Sequence, residues 1–182
     1  MGNLSWILSD LRWIKPELAL VATVLAVILA DISRFKKAAP LVAIAGLAGA
    51  GWLLFRRLGC GGHAPGGIFQ GAYTVDGFSG FFQISFIGAA LLVAIFSVPA
   101  IRGWTSGKGE YYALLLSCTF GMLLMAGASD LLMMYLALEF VSITSYILAG
   151  FLRKYRNSAE AALKYIIYGA AASGFMIYGM SY

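Results

Sequence analysis

Residues 130–152 read DLLMMYLALEFVSITSYILAGFL. Beyond the aspartate at its start, this stretch carries one carboxylate, Glu139, and no base. At about 1.5 Å of rise per residue, some twenty helical residues cover a hydrocarbon core of ~30 Å. Five further apolar runs surround it, at roughly 13–33, 38–56, 79–101, 110–128 and 159 to the end. The chain as a whole is 61% hydrophobic and 12% charged over 182 residues, with a mean hydropathy of +0.85. Soluble domains hold about 25% charged residues, and a chain of this length has no interior large enough to hide so much apolar surface. Lipid must be the solvent. The expected fold is an all-α integral membrane protein with about six transmembrane helices.

The boundaries follow from local chemistry. Pro16 and Glu17 open the first run, since a proline in the first helical turn removes an N–H that would have no partner there. Glu17 favours the positive end of that helix dipole. Small residues from Ala43 to Gly51 let a neighbour approach the second helix closely. The glycines and proline between Gly59 and Ser79 exclude a regular helix. Asp130 is expected to cap the fifth helix, and Asn157 with Glu160 three residues on suits the start of the sixth. Gly169, Ala170, Ser173 and Gly174 form a small-residue packing face on it. Tyr111, Tyr112, Trp104 and Tyr155 fit an interfacial aromatic belt. The last helix runs to Tyr182 without a polar flank, which reads as a truncation.

The net charge of +5 falls in short clusters between apolar runs, a topology signal and not a nucleic-acid footprint. With the N-terminus outside, the inner loops hold eight bases: Arg34, Lys36, Lys37, Arg102, Lys108, Arg153, Lys154 and Arg156. The outer segments hold four: Arg12, Lys15, Arg56 and Arg57. That asymmetry predicts an outside N-terminus. Cys60 and Cys118 belong to different layers, which argues against a disulfide, and neither stands at metal-ligand spacing from His63, a loop residue. No cleavable signal peptide, nucleotide loop or nucleophile–base pair is visible.

Two charges lie inside the apolar runs. Glu139 is nine residues past Asp130, about 13 Å along its helix, with eight apolar or aromatic residues immediately before it. A charge at that depth costs at least ~2.5–3.5 kcal/mol and needs a reason. Desolvation opposes a lone carboxylate unless a cation stands near, and a carboxyl balanced between the two can take up and release a proton. The competing reading is a protonated structural glutamate bonded to another helix. Lys164 is six residues past Ser158, about 9 Å into the sixth helix. It is either a buried cation or half of an i,i+4 pair with Glu160. Glu139 and Lys164 lean in opposite directions along antiparallel helices, so a bridge through Ser142, Thr144 or Ser145 suits them better than a direct contact.

The runs EYYALLL at 110–116, ASDLLMMYLALE at 128–139, YILAGF at 146–151 and SAEAALKY at 158–165 resemble subunit N of bacterial NADH–quinone oxidoreductases (respiratory complex I). Pro16-Glu17 and VDGF at 75–78 continue the likeness. The resemblance implies a proton-pumping, antiporter-like membrane subunit of about fourteen helices built from inverted repeats. Residues 1–109 would form an N-terminal three-helix transmembrane segment and 110–182 the start of the first repeat. Glu139 and Lys164 would occupy the family's fifth-helix glutamate and sixth-helix lysine. The family's seventh-helix lysine has no counterpart in this sequence. The resemblance further implies no cofactor in this chain, with NADH, FMN, iron–sulfur clusters and quinone handled by other subunits. Its partners would be the other membrane-arm subunits and the lipid bilayer, with the missing helices supplied either by a longer product of the same gene or by a second chain. Its place would be the bacterial inner (plasma) membrane. Rival readings are an antiporter-like subunit of a cation/proton antiporter or membrane-bound hydrogenase, and a structural module whose charges only fix helix registry.

Overall fold

The computed structural model describes residues 10–11, 13–32, 38–59, 67–101, 107–152 and 155–182. They form six helices: α1 (Lys15–Ile32), α2 (Ala39–Gly59), α3 (Gly77–Ala100), α4 (Lys108–Gly127), α5 (Leu131–Ala149) and α6 (Arg156–Met180). Each expected run is a helix, with ends within three residues of those read from the sequence. Five are long and apolar enough to cross a membrane. The exception is α1, whose 18 residues include Lys15, Glu17 and Asp31. Arg12, Arg34, Lys36, Lys37, Cys60, His63, Arg102, Trp104, Arg153 and Lys154 lie outside the described residues.

Helix α4 is the hub, packing against α1, α2, α3 and α5, which is why Leu116, Thr119 and Leu123 are fully buried. Helix α6 packs on α5 and buries none of its residues. Many large apolar side chains face outward, among them Leu29, Phe55, Phe96 and Leu132, as a lipid solvent allows.

The small residues of α2 act as expected. Ala43, Leu47, Ala50 and Leu54 form one buried stripe at helical spacing, and Gly46 lies against Thr23 of α1. A Cβ at Gly46 would fall on the Thr23 side chain, 2.7 Å from its own Cβ, so no rotamer of Thr23 relieves the overlap. Gly49, one turn nearer the helix end, has no atom within 4 Å of such a Cβ. Gly46→Ala is therefore expected to lower stability by ~1–3 kcal/mol through overpacking. Gly49→Ala should raise it by up to ~1 kcal/mol through helix propensity. Thermal unfolding of the two variants in detergent checks the sign of each.

Several local expectations need correction. Asp130 is the N-cap residue of α5, but its side chain makes no capping bond. Helix α6 starts at Arg156, before Asn157, so Asn157 and Glu160 do not form a cap; Tyr155 is the N-cap residue and gives no side-chain bond. The Ser158 hydroxyl instead donates to Ala149 O at 2.8 Å, tying α6 back to α5. Tyr112 is not an interfacial residue. A step of about 100° around the helix separates it from Tyr111, and that turn puts it in the core, fully buried, while Tyr111 bonds Ser97 at 2.8 Å. Tyr155 is exposed, as a belt residue would be. Of the small face on α6, Gly169 packs under the Tyr146 hydroxyl, whereas Ala170 and Gly174 are exposed.

Between α2 and α3, residues 68–73 make a short hairpin. Ile68 and Tyr73 exchange backbone bonds of 2.8 and 3.2 Å around Phe69, Gln70 and Gly71, all with positive φ. Helix α3 then begins at a capping box: Ser79 N donates to Asp76 Oδ1 at 2.7 Å and Asp76 N to Ser79 Oγ at 3.0 Å.

Candidate functional site

Two polar sites sit in this bundle. The first is the expected one. Glu139 lies mid-way along α5, half-buried, with its Oε1 shielded and without a hydrogen-bond partner. Tyr135, one turn earlier, brings its phenol to the carboxylate. The spacing is the i,i+4 neighbour relation of a helix, so Tyr135 was available to sequence reasoning and was missed. Two of the three hydroxyls offered as a bridge are occupied locally. Thr144 Oγ1 donates to the carbonyls of Phe140 and Val141, each at 2.9 Å, and Ser145 Oγ to that of Ser142 at 2.7 Å. Side-chain hydroxyls on helices bond the preceding turn whenever nothing better is near. Ser145 also meets the Tyr165 hydroxyl of α6 at 3.3 Å, and the Tyr146 and Tyr165 rings pack edge-on with centroids 4.7 Å apart.

Lys164 is not brought to Glu139. Its ammonium bonds Glu160 Oε1 at 2.7 Å, with the two side chains 66% and 57% exposed in this chain. Of the two readings open for Lys164, the i,i+4 pair is the contact formed here. Such an exposed pair is worth only ~0.2–0.5 kcal/mol, so it does not commit the lysine to Glu160.

The second site was not foreseen. Glu17, expected only to favour the dipole of α1, is 98% buried, at 2% exposure. Its Oε1 accepts from the Tyr73 hydroxyl at 2.7 Å and from Gln83 Nε2 at 3.0 Å, and lies 3.7 Å from Arg57 Nη1. Arg57 Nη1 also donates to Trp13 O at 2.9 Å, and Nη2 donates to Gln83 Oε1. Gln83 Nε2 lies 2.7 Å from the Tyr73 oxygen and 3.2 Å from Leu123 O. The cluster thus joins α1, α2, α3, α4 and the hairpin. Burial, and then the negative charge of Glu17, push the Tyr73 phenol well above its ordinary range, so it stays a donor. The signals were present: Gln83 is a lone amide in an apolar run, and Glu17 shares a helix face with Leu20 and Val27. A buried polar group requires a partner, and both residues faced the bundle.

Comparison with known proteins bears on the first site. A family profile described as "NADH:quinone oxidoreductase/Mrp antiporter, TM" matches residues 128–182, the segment containing Glu139 and Lys164. NADH-quinone oxidoreductase subunit N 2 of Chloroherpeton thalassium is 42% identical over 174 residues, covering 91% of this chain and 33% of the relative. Subunit N of Desulfitobacterium hafniense is 46% identical over 121 residues, covering 66% of this chain and 24% of the relative. The chain belongs to the subunit N family. A solved structure, respiratory complex I from Thermus thermophilus with bound Aureothin, contains a chain that matches the present one with a TM-score of 0.76 and 30% identity. That match covers 91% of this chain and 35% of the other. The chain spans about a third of the length of the relatives it matches most fully.

Proposed function

We propose that this chain is part of a proton-translocating membrane-arm subunit of an NADH–quinone oxidoreductase. Glu139 is the carboxylate that takes up and releases the proton. The observation that carries this reading is the shielded, unpartnered Glu139 Oε1 in the middle of a helix long and apolar enough to span a membrane. Glu17 Oε2 is also buried and unpartnered, but Glu17 has Arg57 beside it, whereas Glu139 forms no ion pair among the described residues. Lys164 is the relay cation: its weak contact with Glu160 leaves it able to turn toward another acceptor. No redox cofactor belongs to this chain; NADH, FMN, iron–sulfur clusters and quinone are handled elsewhere in the complex. Its partners are the other membrane-arm subunits and the helices, on this or a second chain, that complete the proton path.

The division at 109/110 into an N-terminal segment and the start of a repeat belongs to this proposal, and the family match at 128–182 falls wholly in the second part. So does the placement in the bacterial inner membrane with the N-terminus outside. Arg57 is held by Glu17 and is no free loop charge, which strengthens the basic excess assigned to the inner side. The test is Glu139→Gln in the assembled complex, read as protons moved per quinone reduced. A second reading, a subunit of a cation/proton antiporter, is favoured by the joint family description; co-purification without NADH-oxidising subunits would support it.

A further inference from the structure

Helix α5 starts without a side-chain cap, so its position is set by something else. The turn 128–130 is held by the hairpin. Thr74 N donates to Gly127 O at 2.7 Å, Ser129 N donates to Ala72 O at 3.0 Å, and the Thr74 and Ser129 hydroxyls bond one another. Tyr73 pairs antiparallel with Ala128, and its ring lies over Gly127 so closely that a Cβ there would come within 2.8 Å of its hydroxyl oxygen. The Tyr73 hydroxyl is in turn fixed between Glu17 of α1 and Gln83 of α3. The turn leading into α5 is therefore tied to the hairpin by backbone bonds, and the hairpin, through the Tyr73 side chain, to two other helices.

We propose that Tyr73 is a positioning residue for Glu139: anchored by Glu17 and Gln83, it sets the depth and rotation of α5 and so the surroundings of the Glu139 carboxyl. A rigid helix transmits any displacement at its start. A slip of one residue moves Glu139 by about 1.5 Å and turns it by about 100°. This inference rests on the proton-relay reading for its functional meaning, but its geometry does not.

The experiment uses the full-length subunit in its assembled complex, treated with a hydrophobic carbodiimide. The modification of Glu139 is followed by mass spectrometry, with Glu110, at the opposite end of α4, as an internal control. Tyr73→Phe removes the anchoring hydroxyl and keeps the ring. Gly127→Ala removes no polar group and displaces the ring. Both are expected to change the Glu139 modification rate by about threefold or more, with Glu110 unchanged and fewer protons moved per quinone reduced. General loosening of the fold would move both carboxyls together and would overturn the proposal. So would wild-type Glu139 rates in the assembled variants. If the phenylalanine variant fails to assemble, the alanine variant decides alone. Normal pumping by Glu139→Gln would remove the relay reading yet leave the labelling result standing, so the two failures are distinguishable.

Discussion

Glu139→Gln is expected to stop proton translocation through this subunit while leaving the complex assembled. Glutamine has nearly the shape of glutamate, so packing along α5 is retained. The exchange removes a group with a shielded, unpartnered oxygen, and a buried charge without compensation is costly. Stability should be unchanged or slightly raised. What is lost is the ability to bind and release a proton at that depth, which no amide replaces. Glu139→Asp keeps the acid but withdraws it by one methylene, about 1.5 Å, and should retain part of the activity. Lys164→Met breaks only an exposed pair worth ~0.2–0.5 kcal/mol, so a large fall in pumping there must come from the relay and not from folding. Proton uptake and quinone reduction measured on the same vesicles, with subunit content checked on native gels, separate these outcomes. Full pumping by an assembled Glu139→Gln complex would assign the glutamate a structural role.

The fold was readable because each helix is written as an uninterrupted apolar run, and backbone polar groups in lipid have no alternative to a helix. Helix ends were read to within a few residues by the same logic. The Glu139 site was readable for a related reason: one carboxylate among fifteen or so apolar neighbours is conspicuous. The Glu17 cluster was legible only in part: Gln83 is a lone amide in an apolar run, but Glu17 and Arg57 lie near helix ends, where charge is ordinary. Glu17 on α1, Arg57 on α2, Tyr73 in a hairpin and Gln83 on α3 are up to 66 residues apart in the chain. Nothing local distinguishes Arg57, whose side chain is largely covered, from Arg56 beside it, which is exposed. Caps failed in a consistent direction. At Asp130 and Asn157 the sequence carries capping residues, but tertiary contacts from the hairpin and from Ser158 hold those helix starts instead.

Arg57→Met is expected to cost about 3–5 kcal/mol, the largest stability loss of any single exchange argued for this chain. The Arg57 side chain is 9% exposed and that of Glu17 2%. Removing it leaves a buried carboxylate with neutral donors only, and leaves Gln83 Oε1 and Trp13 O without the donor they have. The penalty is mostly that of the stranded charge, and it should be largely relieved by neutralising the other partner. The double variant Glu17→Gln/Arg57→Met is therefore expected to be more stable than Arg57→Met alone. Glutamine at 17 keeps an acceptor for the Tyr73 hydroxyl and needs no cation. A coupling of more than ~1.5 kcal/mol between the two exchanges, from thermal unfolding in detergent, is the signature of a buried pair. Additive losses would mean that Arg57 acts through its bonds to Trp13 and Gln83 and not through Glu17. The same series bears on α5, because Gln83 and Tyr73 are the links between this pair and the turn at 128–130. If the double variant regains stability but Glu139 is still modified at an altered rate, the charges serve folding while the Tyr73–Gln83 geometry governs the proton site.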